Sequence, residues 1–134
     1  AVVGDLGRQT TLIPAHYHAV LTAVALAFMG LTYLVLDREG VSLPRPRWAA
    51  VQPYLYGLGT LALVAGMAWA GAQGAPRKTP GAGWAADPAV LLALNLWGLG
   101  TLLSVAGGAA YLINVAWSAV RWRAGAPAGA GARR

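Results

Sequence analysis

Three long apolar stretches, at about residues 12–36, 48–71 and 88–120, divide the chain, and polar residues gather in the short segments between and beyond them. Each stretch exceeds the roughly 20 residues that a helix needs to cross the hydrocarbon of a bilayer. The pattern therefore predicts an all-α membrane protein with three transmembrane helices, the third long enough to tilt or to project beyond the hydrocarbon. The punctuation agrees. Pro14 stands near the start of the first helix, where its missing N–H would be unpaired in any case. Asp37-Arg38-Glu39-Gly40 closes that helix, and Pro44 and Pro46 hold the following loop extended. Asp87-Pro88 reads as an N-cap followed by proline at the first helical position. The first stretch is longer than the apolar region of a signal peptide and has only Arg8 ahead of it, which argues against a cleaved signal. Residues 124–134, rich in Ala, Gly, Pro and Arg, are expected to form a disordered tail. A chain that starts at Ala1 is expected to be processed, or to be the downstream part of something longer.

Charge then orients the helices. Charged residues make up only 10% of the chain, and the four acids (Asp5, Asp37, Glu39, Asp87) fall outside or at the ends of the spans. No carboxylate is therefore available inside them for general acid–base work or a proton relay. The net charge of +6 could suggest nucleic acid, but the basic residues sit beside the spans and in the tail, where the positive-inside rule accounts for them. Arg38, Arg45, Arg47, Arg121, Arg123, Arg133 and Arg134 share one side; Arg8, Arg77 and Lys78 occupy the other. The richer side is expected to be cytoplasmic, which turns the N-terminal end of the first span outward. The chain contains no cysteine, which excludes disulfides, thiolate-held copper or iron–sulfur sites, and covalent haem attachment through Cys-x-x-Cys-His.

One internal echo joins the second and third spans: Tyr56-Gly57-Leu58-Gly59-Thr60-Leu61 is matched by Trp97-Gly98-Leu99-Gly100-Thr101-Leu102. Gly59 and Gly66, and likewise Gly100 and Gly107, recur on one helix face. Small residues let helices approach closely in lipid, so shared packing demands are favoured over a duplicated functional unit.

Both histidines of the chain lie one turn inside the first span, in His16-Tyr17-His18. Two imidazoles at i and i+2 point about 200° apart on a helix and cannot easily close on one metal ion. A polar side chain inside a span is costly and usually marks function. The residues alone leave three readings: a structural pair, a metal site completed elsewhere, or a pair of haem ligands; the geometry favours two different centres, one on each side of the helix.

The surrounding residues carry a resemblance. Leu12-Ile13-Pro14-Ala15-His16-Tyr17-His18, followed by an apolar run with Phe28-Met29-Gly30 and Tyr33, resembles the tenth transmembrane helix of the catalytic subunit (subunit I) of haem-copper oxygen reductases, the cytochrome oxidase superfamily. The likeness continues in order through Gln52-Pro53-Tyr54-Leu55-Tyr56-Gly57 and Trp69-Ala70-Gly71. Ala75-Pro76-Arg77-Lys78 is similar to the Pro-Arg-Arg segment after the family's helix eleven, and the match extends to about Arg123.

The resemblance implies that residues 1–123 are the C-terminal three-helix portion, helices ten to twelve, of a larger helical bundle. His16 then matches the axial ligand of the high-spin haem that faces copper, and His18 one of two axial ligands of the low-spin haem. Tyr17 takes the aromatic position between the two haems, usually phenylalanine, with plain packing as its alternative role. Arg77 and Lys78 match the basic pair that grips haem propionates, with a solvated pair of loop charges as the alternative. Lysine at the second position loses the bidentate geometry of arginine.

The implied cofactors are two non-covalent haems and a copper whose ligands lie outside this chain. The implied partners are the remainder of subunit I, other oxidase subunits, membrane lipid and an electron donor, cytochrome c or a quinol. The implied place is the cell membrane of a bacterium or archaeon. The copper-ligating histidines, the redox tyrosine and the other low-spin haem ligand belong to earlier helices, so this chain alone is not expected to reduce oxygen. Alternatives are a nitric oxide reductase of the same superfamily, and a self-contained three-helix haem-binding electron carrier or assembly protein.

Overall fold

The computed structural model describes residues 10–75 and 87–125, and they fold as three helices: α1 (Leu12–Arg38), α2 (Pro46–Ala72) and α3 (Pro88–Arg123). All three are long and apolar enough to cross a membrane. At 1.5 Å per residue the 27 residues of α1 and of α2 extend about 40 Å, and the 36 of α3 about 54 Å, so α3 outruns a hydrocarbon core of about 30 Å.

The ends of the helices follow from local chemistry. Asp87 caps α3, its carboxylate accepting from the Ala89 N–H at 2.8 Å, and Pro88 supplies the first helical residue. α1 begins two residues before Pro14, at Leu12, which leaves the proline within the first turn, where it removes no helical hydrogen bond. α1 and α2 both end in a left-handed glycine. Gly40 (φ 69°) and Gly74 (φ 83°) each sit one residue beyond the C-cap. Val41 N–H returns to the Leu36 carbonyl at 2.9 Å and Ala75 N–H to the Ala70 carbonyl at 3.0 Å, the Schellman arrangement that only a residue free of Cβ strain closes easily. Ala124 and Gly125, placed in the tail by the sequence pattern, form the turn that ends α3, whereas residues 126–134 lie outside the described residues.

α2 and α3 form the closest pair, antiparallel and built on small residues. A Cβ added to Gly59 would stand 2.5 Å from the Ser104 backbone nitrogen, one on Gly66 2.5 Å from that of Trp97, and one on Gly107 2.6 Å from that of Tyr56; Gly100 is held as tightly against Leu63. The repeated hexapeptide accounts for this seam. In each helix the aromatic that opens the repeat covers the later glycine of the partner, Tyr56 against Gly107 and Trp97 against Gly66. The two copies thus form a self-complementary antiparallel interface, the geometry of a two-fold contact within one chain. Between the glycines the Thr60 and Ser104 hydroxyls pair directly.

α1 lies against α2 less intimately, and of its residues only Ala15 is buried, packed with Leu63 and Met67. Its N-terminal end is tied down by the Thr11 hydroxyl, which donates to the Met67 carbonyl at 2.8 Å. Gly71 permits that approach, since a Cβ there would meet Leu12 N at 2.8 Å.

Candidate functional site

The crossing of α1 over the end of α2 sets the position of the histidines. Thr11 and Ala15 hold one side of the first turns of α1 on Met67, Gly71 and Leu63, so His16, Tyr17 and His18 are carried on the remaining circumference, and all three side chains are exposed. Taking the buried Ala15 as the contact direction, helix geometry places His16 about 100° to one side and His18 about 60° to the other, with Tyr17 nearly opposite the contact. The two imidazoles therefore flank α2 rather than share a face. Tyr17, 60% exposed, meets His16 edge to face with ring centroids 6.1 Å apart.

His18 carries a contact that the sequence pattern did not single out. Its Nδ1 lies 2.8 Å from the Pro14 carbonyl oxygen, one helical turn back. With the proton on Nδ1, this nitrogen donates to the carbonyl and Nε2 keeps its lone pair free, the arrangement by which ligating histidines are usually oriented. The i−4 spacing of Pro14 and His18 was the available signal.

Arg77 and Lys78 lie outside the described residues. Ala75, two positions before Arg77, accepts from the Thr11 N–H through its carbonyl at 3.4 Å, so the described part of this segment ends beside the start of α1. No group of three or more His, Cys, Asp or Glu side chains is brought together among the described residues.

The opposite end of the bundle holds a second polar constellation, which inspection of the apolar stretches missed. The Tyr33 hydroxyl donates to Gln52 Oε1 at 3.3 Å, and Gln52 Nε2 donates to Met29 Sδ at 3.2 Å. The Tyr111 hydroxyl donates to Thr32 Oγ1 at 2.9 Å, while the Tyr33 and Tyr111 rings meet edge to face at 5.6 Å. Asn114 closes the set by bonding both ways to the residue that opens α2: Arg45 N–H donates to its Oδ1 at 3.3 Å, and its Nδ2 donates to the Arg45 carbonyl at 3.4 Å. Gln52 and Asn114 are almost fully buried. These contacts join all three helices where apolar packing alone would let them slide, since lipid competes equally for apolar faces.

No protein-family model matches the chain, and no solved structure matches it. Among curated proteins, an uncharacterized protein of Rickettsia prowazekii is similar, 25% identical over 108 residues that cover 72% of this chain and 21% of the relative. The chain thus spans about a fifth of the length of the curated relative it matches.

Proposed function

We propose that this chain is the haem-ligating three-helix part of the catalytic subunit of a haem-copper oxygen reductase, in which His16 and His18 hold two haems on either side of α1. The observation that carries this function is the presentation of the pair. Both imidazoles are exposed on a helix that buries only Ala15, they diverge by about 200°, and His18 has one ring nitrogen tied to its own backbone. A protein-held zinc ion takes four ligands, whereas haem iron brings four ring nitrogens and asks the protein for one or two imidazoles. Single, diverging histidines fit the second demand.

When bound, the haems supply one-electron chemistry, and the copper is held by histidines outside this chain. The chain's own residues fix positions. Thr11 and Ala15 set α1 on α2, the Pro14 carbonyl orients the His18 ring, and His16 and His18 offer nitrogen lone pairs to opposite sides. On this account His18 would hold the low-spin haem and His16 the high-spin haem beside copper, and these groups would supply the transfer of electrons from cytochrome c or a quinol to oxygen. By the resemblance, Arg77 and Lys78 would hold haem propionates. The chain matches about a fifth of a longer relative; that the rest of subunit I completes a larger bundle around it is part of the same proposal. The membrane is then that of a bacterial or archaeal cell, with the N-terminal end of α1 outward and the basic ends of α2 and α3 cytoplasmic.

Purification of the natural polypeptide from membranes, followed by acid extraction of its haem, tests this function. The expected result is a polypeptide with further spans ahead of Ala1 and two extractable haems. A three-span polypeptide free of haem would overturn it.

A further inference from the structure

A groove of about 520 Å³ runs between the first half of α2 and the second half of α3. Its α3 wall is made by Ala106, Ala109, Ala110 and Ile113, which leaves a trough lined mainly by methyl groups, and on the α2 side it runs from Arg47 to Leu55. Along the helix axes this is about 11–12 Å. That length is close to the ~15 Å depth of hydrocarbon in one leaflet and far short of the ~30 Å face that a spanning partner helix would need. The shape suits one acyl chain.

The rim supplies the charge. Arg47 lines the groove mouth, and the Arg45 guanidinium is stacked 4.3 Å from the Trp48 ring centroid and 5.8 Å from that of Trp117. Asn114 fixes the Arg45 backbone from below. Both indoles are exposed at the end of the bundle where Arg121 and Arg123 also emerge. Aromatic rings and cations at one helix end, above a largely apolar trough, form a basic pocket suited to an anionic headgroup. We infer that the groove binds an anionic phospholipid, with one acyl chain along Ala106 to Ile113 and the phosphate held by Arg47 and Arg45. The site is independent of the haem ligands.

The test uses the protein in its native assembly, placed in bilayer discs of phosphatidylcholine doped with phosphatidylglycerol or phosphatidylcholine whose acyl chain carries a photoactivatable diazirine. Mass spectrometry then locates the cross-links. The phosphatidylglycerol analogue is expected to label residues 106–113, and Arg47→Gln to lower that labelling about tenfold through loss of a charge-assisted contact. Ala109→Trp should block the trough and abolish labelling; if that variant does not accumulate, Ala106→Leu serves the same purpose. Equal labelling by the phosphatidylcholine analogue, insensitive to Arg47→Gln, would overturn the inference. So would cross-links between α3 and another protein segment with no lipid adduct in the groove.

Discussion

The Nδ1 nitrogen of His18 sits 2.8 Å from the carbonyl oxygen of Pro14, so the imidazole is steered by its own helix before any partner arrives. That contact predicts the tautomer. In protein carrying ¹⁵N-histidine, solid-state NMR of the haem-free form should find His18 protonated at Nδ1 with Nε2 bare. A majority of the Nε2-protonated tautomer would mean that the ring is not held in the orientation a metal ligand needs.

The glycines of α2 and α3 differ sharply in what they tolerate, according to whether they lie in the seam. Gly66→Ala or Gly107→Ala drives a methyl group into the partner's backbone and should destabilise the helix pair by about 1–3 kcal/mol, the usual cost of overpacking. Gly98→Ala meets nothing within 4 Å and should be neutral, or stabilising by up to about 1 kcal/mol through helix propensity. Thermal unfolding in mild detergent measures the contrast. Equal effects at Gly66 and Gly98 would remove the seam from the account.

The polar constellation at the other end should contribute modestly. Asn114→Leu removes both bonds to Arg45 and should cost about 0.5–2 kcal/mol, while Tyr111→Phe, which frees only the Thr32 hydroxyl, should cost about 0.6 kcal/mol. Unfolding of the two single variants and the double variant, in the same detergent, checks these values. Non-additivity is expected, because the two residues lie one helical turn apart on α3 and belong to one polar set around Tyr33.

Arg77 bears on the proposed propionate contact. Arg77→Gln should retain both haems, since axial ligation is untouched, and lower the reduction potential of at least one, because a cation that favours the added electron is lost. Redox titration reads the shift. Unchanged potentials would make Arg77 an ordinary loop charge.

Much of this architecture is legible in the residues because the strongest rules of membrane folding are local. Length and apolarity fix the spans. Asp87-Pro88 writes its own cap, and the Gly59/Gly66 and Gly100/Gly107 pairs announce a close approach before the partner is known. What could not be read is which way each helix faces. Residues in lipid are apolar all round, so hydrophobic periodicity carries no direction, and only the small and polar residues mark an interface. The partnership of Gln52 with Tyr33 and Met29, or of Asn114 with Arg45, depends on crossing points set by the whole bundle. The divergence of His16 and His18 is the exception, since an i, i+2 spacing separates two side chains on any helix.

The central claim is that His16 and His18 serve different haems, and optical spectroscopy of the two single alanine variants in the intact assembly tests it most directly. His16→Ala should remove the high-spin, carbon monoxide-binding signal and leave the six-coordinate spectrum in place. His18→Ala should disturb the six-coordinate low-spin haem and spare the ligand-binding one. Loss of the same haem in both variants, or of neither, would contradict the account.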